Sequence, residues 1–417
     1  VNRDASIQLR HLFEIVSGST PESGNTDYWD GDIAWVTPED VSQVAGNVLR
    51  DTRRKLTAEG FANSGTTMAS AGGIVLTKRA PIGQLALLGI DACSNQGCFL
   101  LSPREGIEPR FFYYVLANSV PLLQALGRGS TFMELSTDDL KALRVPVLAY
   151  DQQVRIANYL DASVAKVDEL LQSKRGLLEI LAEKRKAIIA AAVTRGLDPK
   201  VKLRDSGVPW LGEIPAHWEL RRAKYLFRQS ALPVATGDEI VTCFRDGQVT
   251  LRRNRREEGF TNADLEVGYQ GIRQGQLVLH SMDAFAGAIG VSDSDGRCSP
   301  EYIICDPLDG DVIVPEYFGP LLRTMALAGF IQASCPAVRE RAPRIRFNNF
   351  SEMYLPVPPQ EEQRAIVEHI ARETAKLDAV RAATERTIAL LKERRSALIA
   401  AAVTGQLDLT TGEGAAA

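Results

Sequence analysis

Two stretches of the chain carry apolar residues at alternating spacings of three and four, the period of a helix with one buried stripe. In the first, Ala157, Leu160, Val164, Val167, Leu171, Leu178, Leu181 and Ile188 fall on one seam. In the second, Val367, Ile370, Leu377, Ile388, Leu391 and Leu398 follow the same spacing. Prolines precede each stretch (Pro146 in one, Pro356, Pro358 and Pro359 in the other), and the residues that follow are mostly good helix formers. Asp151 and Glu361 sit in the expected first turns, where the helix dipole favours negative charge, and Gly196 and Gly405 mark the ends. The pattern predicts a helix over 151–193, roughly 65 Å long, and a second of the same kind. Lys174, Arg185, Thr374, Arg381, Thr384 and Arg395 interrupt the seam. Two imperfect helices burying each other therefore fit better than two independent coiled coils.

The two stretches are copies. Residues 145–198 and 355–408 align without a gap at a constant offset of 210, with 19 of 54 positions identical, and the AAAVT of 190–194 recurs at 400–404. Two copies are too few for a solenoid. The segments ahead of each helix have a different texture, with short apolar runs set among Gly, Pro, Asp and Ser. Ile74–Leu76, Leu85–Leu88, Leu277–Leu279 and Tyr302–Cys305 read as strands, and 111–126 and 316–330 as helices. GGIVLTKRAPIGQLALL and GQLVLHSMDAFAGAIGV share an apolar pattern more than identity.

The expected fold class is α+β, with two mixed globular domains separated by two long antiparallel, coiled-coil-like helices and a pseudo-two-fold relation from the duplication. The expected layout is a first domain over 1–144, a first spacer helix over 145–198 and a linker over 199–216. A second domain follows over 217–354, then a second spacer helix over 355–408 and a disordered tail over 409–417. Pro199, Pro209 and Pro215 suggest a stiff, turn-rich linker.

Composition narrows the class. The chain has 417 residues, 45% hydrophobic and 24% charged, which suits an ordinary globular protein. No apolar run is long enough to span a membrane and no secretory signal pattern opens the chain, so a soluble, cytoplasmic protein is expected. Six cysteines without a CxxC pair or a nearby His read as buried free thiols, and no metal site is expected. The chain has no phosphate-cradling GxxxxGK[ST], no HExxH and no GxSxG. It also lacks the Asn/Asp-Pro-Pro-aromatic run of amino-methyltransferases, and the Pro-Asp and Glu-x-Lys pairs of the common metal-dependent nuclease core. No catalytic residue is expected, although a nuclease or methyltransferase with a dispersed site would escape such a search.

A formal net charge of −4 argues against a uniformly basic nucleic-acid coat, but local clusters decide such binding. The first domain has Arg53, Arg54 and Lys55, then Thr77, Lys78 and Arg79, then Arg128 and Thr131. The second has Arg252, Arg253, Arg255 and Arg256, then Arg339, Arg341, Arg344 and Arg346. Arg can fork to guanine or clamp phosphate, and Lys neutralises phosphate. These are the candidate DNA contacts; a solvated surface compensated by Glu257, Glu258 and Glu340 is the plainer alternative. A rigid spacer between two binding faces would fix the base pairs between two half-sites, since equivalent groove faces recur about every 34 Å.

The run SGVPWLGEIPAHWELRRAKYLF at 206–227 resembles the opening of a target-recognition half in specificity (S) subunits of type I restriction–modification systems. LPVPPQEEQRAIVEHI at 355–370 and the helix ends KRKAIIAAAVTRGLD and RRSALIAAAVTGQLD are similar to the same family. The first half begins without that opening, as VNRDASIQLRHLF, where Leu12 and Phe13 align with Leu226 and Phe227. The resemblance implies two target-recognition domains, each reading half of a bipartite double-stranded DNA site, with helices that set the gap. It implies docking of two methyltransferase (M) subunits and of restriction (R) subunits. Lys184, Arg185, Lys186, Arg394 and Arg395 become candidates for partner contact. The S subunit would hold no cofactor; S-adenosylmethionine, ATP and Mg would belong to its partners. The competing reading is a protein-assembly scaffold with two ligand-binding domains and no DNA.

Overall fold

In a computed structural model of the chain both long helices form, over Tyr150–Arg195 and Gln360–Val403. The structure describes residues 6–44, 46–79, 81–129, 133–255, 268–333 and 344–407. Gly196 and Gly405 follow the helices with φ of 75° and 71°, the left-handed conformation that ends a helix at little cost to glycine.

Two compact units result, one of residues 1–174 with 386–417, the other of 175–385. Each takes one globular part, the start of the long helix that follows it, and the end of the other long helix. Within each unit the helix segments run antiparallel. In the first, Ile156, Ala157, Leu160 and Val164 share a core with Ile399, Ala402 and Val403. In the second, Ala192 and Val193 share a core with Ile366 and Ile370.

Burial along the predicted seams is uneven: in the second helix Ile370 is buried, and Val367, Leu377, Ile388, Leu391 and Leu398 are half-buried. Ala157, Leu160, Val164, Val167 and Leu171 are buried, while Leu178, Leu181 and Ile188 are only half-buried. The interruptions have physical answers. Thr374 and Thr384 are buried, and each turns its hydroxyl back onto its own helix, toward the carbonyls of Ala371 and Val380 at 3.3 and 2.8 Å. Arg185 reaches Asp378 at 2.7 Å and Arg395 reaches Asp168 at 2.9 Å. These two ion pairs correspond at the offset of 210, and all four residues are identical between the copies.

The first globular part is built on a five-stranded sheet in which Phe13–Ser17, Cys98–Pro103, Ile74–Thr77, Leu85–Leu88 and Val48–Leu49 are neighbours in that order. The second has a four-stranded sheet of Phe227–Gln229, Tyr302–Pro307, Leu277–His280 and Ile289–Val291. The two loosely similar apolar runs are thus the same hairpin at the same place in each sheet. Phe13 meets Phe112 edge-on at 5.4 Å and Phe227 meets Phe318 at 5.2 Å, so the alignment of Leu12–Phe13 with Leu226–Phe227 holds in space.

Three sequence expectations change. The helix expected over 111–126 is two, Pro109–Asn118 and Val120–Leu126, because Pro121 cannot continue the first. The helix expected over 316–330 spans Pro315–Leu327, with a short one after it at Phe330–Ala333. The stretch 199–216 is more than a linker: Leu203–Asp205 pairs with Glu213–Pro215, and Leu211 and Ile214 enter the second core beside Trp218. Cys93, Cys98, Cys243, Cys298 and Cys305 are free and buried; Cys335 lies outside the described residues. Burial pushes the Cys93 thiol up to about 11 and those of Cys98 and Cys298 up to about 12, which keeps them protonated and inert. No helix among the described residues is long and apolar enough to cross a membrane.

Candidate nucleic-acid interface

Each globular part is fastened to its long helix by one buried glutamine. Gln153 accepts the backbone N–H of Glu108 at 2.9 Å and donates to the carbonyl of Leu148 at 2.8 Å. Gln363 accepts the N–H of Val314 at 2.9 Å and donates to the carbonyls of Val312 and Pro358 at 2.9 and 2.8 Å. Glu108 and Val314 are the residues just ahead of the domain helices that open at Pro109 and Pro315. The glutamines correspond at the offset of 210 and are 3% and 0% exposed. Sequence reasoning passed over both, although each survives unchanged in a repeat where most positions have drifted.

The candidate cations of the first unit fall in two places. Lys78 and Arg79 gather on Glu134, at 2.8 and 3.9 Å, and Lys78 is largely buried beside the Phe99 ring. Arg128 pairs with Glu134 through the backbone and sends its exposed side chain toward Asp139 at 3.4 Å. Thr77 is corrected: it is fully buried, its hydroxyl donating to the Pro81 carbonyl at 2.7 Å and accepting from Gln84 at 2.9 Å. It shapes the turn of the hairpin and offers nothing to a ligand. Thr131 lies outside the described residues.

The second place is the run 53–55. Arg53 pairs with Glu39 and its backbone N–H reaches Asp40 at 3.0 Å; Lys55 pairs with Asp51 at 3.1 Å. Arg54 has its guanidinium carbon 3.4 Å from the centre of the Trp29 ring.

In the second unit Arg252 donates to the Thr242 hydroxyl at 3.3 Å, and Arg253 pairs with Glu239 at 2.6 Å. Arg255 lies over the Phe244 ring and pairs with Asp246 at 2.7 Å. Arg344 pairs with Glu301 at 3.0 Å, and Arg346 is exposed just ahead of the helix Phe347–Ser351. Arg256, Arg339 and Arg341 lie outside the described residues. Most of these cations already carry a carboxylate, which accounts for a near-neutral chain with dense arginine.

Among the helix candidates, the guanidiniums of Arg185 and Arg395 pair with Asp378 and Asp168 inside their own units, and both side chains stay part-exposed. Lys186 pairs with Glu183 on its own helix at 2.8 Å. Lys184 and Arg394, equivalent in the repeat, are exposed and remain available to a partner. Among the described residues no three His, Cys, Asp or Glu side chains are grouped to hold a metal.

Comparison with known proteins points one way. The family model for the type I restriction modification DNA specificity domain matches residues 5–179. The chain is 30% identical over 176 residues to the specificity subunit of the type I restriction enzyme MjaIX of Methanocaldococcus jannaschii, a match covering 42% of this chain and 40% of that relative. It is 25% identical over 358 residues to the EcoBI specificity subunit of Escherichia coli, covering 77% of this chain and 72% of the relative. A solved chain from a study of complex assembly and conformational transition in a type I restriction–modification system superposes with a TM-score of 0.70 at 16% identity, over 97% of this chain and 98% of that one. The HsdS subunit of Thermoanaerobacter tengcongensis superposes with a TM-score of 0.52, also at 16% identity, over 97% of each chain. At these identities the structural likeness speaks for the fold.

Proposed function

We propose that the chain is a specificity subunit of a type I restriction–modification system, the family whose DNA specificity domain matches residues 5–179, and that it reads a bipartite double-stranded DNA site, one half-site per globular part. The observation that carries the reading is the repeated attachment. Gln153 and Gln363 fasten two related sheets to the helices in the same way, while the cations around those sheets differ. A repeated frame with diverged contact residues suits two different half-sites, and the long helices would set the gap between them. Phosphate contacts by Lys and Arg would position the duplex and a few forked arginines would specify bases.

The same reading has the helices dock two methyltransferase subunits, with Lys184 and Arg394 as exposed candidates, and restriction subunits join that assembly. On this reading S-adenosylmethionine, ATP and magnesium would belong to those partners, and the chain would contribute recognition without catalysis. Nothing in the comparisons favours a scaffold that ignores DNA.

Binding of the chain in complex with its methyltransferase to target and random duplexes, across a salt series, tests this. Target DNA should bind at least about a thousandfold tighter than random DNA, and binding to both should weaken steeply with salt. Equal binding to both duplexes would remove recognition from the account.

A further inference from the structure

Arg53, Arg54 and Lys55 are adjacent in sequence and differ in what holds them. Arg53 and Lys55 face carboxylates on Glu39 and Asp51. Arg54 stacks over the Trp29 indole, beside Trp35. Its guanidinium carbon is 3.4 Å from the centre of the Trp29 ring and 5.6 Å from that of Trp35. The two indoles are buried to 7% and 4% exposure and meet edge-on at 5.0 Å. The platform is itself fixed. Trp35 donates its ring N–H to the Ser19 carbonyl at 3.0 Å. A register shift between Trp29 and Ile33, with Asp30 at φ 62°, marks a bulge that offsets Trp29 from the regular ladder. The carbonyl of Arg54 is held too, by the Trp35 N–H at 3.3 Å and the Thr52 hydroxyl at 2.8 Å.

Other cations stack on rings. Lys78, Arg222, Lys224 and Arg255 lie over Phe99, Tyr354, Tyr225 and Phe244. Each of these also has a carboxylate, from Glu134, Glu352, Glu352 and Asp246 in turn. Among the described residues Arg54 has an aromatic support and no carboxylate, and it is exposed.

Stacking leaves the rim of the guanidinium, where all five N–H donors lie, open to a ligand. It restricts the side chain in advance, so less freedom is lost on binding. A planar fork with fixed orientation and uncancelled charge matches the O6 and N7 acceptors of guanine. We propose that Arg54 is a specificity-determining residue of the first unit, reading one guanine of its half-site in the major groove. The inference rests on the DNA-reading function above and names one contact within it.

The test maps the methylated sites made by the full complex with its methyltransferase, for the unaltered chain, Arg54→Lys and Arg104→Lys. Arg54→Lys keeps the charge and removes the planar fork. It should relax discrimination at one G·C pair of one half-site by about ten- to a hundredfold. The other half-site and the gap should be unchanged, which also shows that the chain is folded and assembled. Arg104→Lys, at an exposed arginine of the same unit outside the candidate clusters, should leave the motif as it was. If the Arg54→Lys motif matches the unaltered one, or if methylation falls uniformly at all sequences as a phosphate contact would give, Arg54 reads no base. An unaltered complex without a bipartite motif would overturn the function itself and Arg54 with it.

Discussion

The two units share an attachment and differ in what reinforces it. In the second, Gln363 is joined by an apolar wedge: Trp218 meets Tyr317 edge-on at 6.3 Å, and the Tyr317 hydroxyl donates to the Val193 carbonyl at 3.0 Å. In the first, Gln153 is joined by a polar network. Glu108 caps the helix that opens at Pro109, Arg110 bridges Glu108 and Asp161 at 2.9 and 3.0 Å, and the Tyr114 hydroxyl donates to Asp161 at 2.8 Å. In the helix that opens at Pro315, Arg110 and Tyr114 are matched by Glu316 and Pro320, which cannot rebuild that network. The glutamine attachment is common to both units, and the contacts that reinforce it differ.

The largest effect expected comes from breaking the glutamines. Gln363→Ala removes the partner of the Val314 N–H and of two carbonyls around a fully buried side chain, at about 1–3 kcal/mol for each group that stays buried and unpaired. Gln153→Ala strands one N–H and one carbonyl, and the Glu108–Arg110–Asp161 network still holds the helix. Hydrogen exchange should show the helix Pro315–Leu327 losing protection strongly in the first variant, and Pro109–Asn118 losing less in the second. If either substitution loosens both helices alike, the units are not separate modules.

A smaller effect is expected at the duplicated ion pairs. Arg185–Asp378 and Arg395–Asp168 are half-exposed, so each should contribute about 1 kcal/mol or less. A double-mutant cycle on each pair, read by urea unfolding, should return similar couplings that shrink in high salt. A coupling of several kcal/mol at one pair only would break the equivalence of the two units.

What the sequence disclosed follows from where the signal sits. The long helices and the duplication were legible because a seam of about 3.5-residue period repeats over many turns. The strands Ile74–Thr77 and Leu277–His280 were legible as short apolar runs between turn residues. The roles of individual charges were not. Arg185 and Arg395 look like surface cations until antiparallel packing brings up Asp378 and Asp168, each more than 190 positions away. Identity of all four residues across the repeat was the one available hint. Thr77, a candidate DNA contact in the sequence, is the inner support of a turn. Nothing in the run RRK separates Arg54 from its neighbours, because the indole beneath it comes from a strand that begins at Trp29.

The central claim is that each unit reads its own half-site on a common frame. The most direct measurement maps the bases methylated by the full complex after Arg253, Arg255, Arg344 and Arg346 are all replaced by Ala. The expected motif is relaxed or weakened in one half-site, with the bases of the other half-site and the gap between them unchanged. A motif that degrades in both halves together, or whose gap shifts, would contradict it.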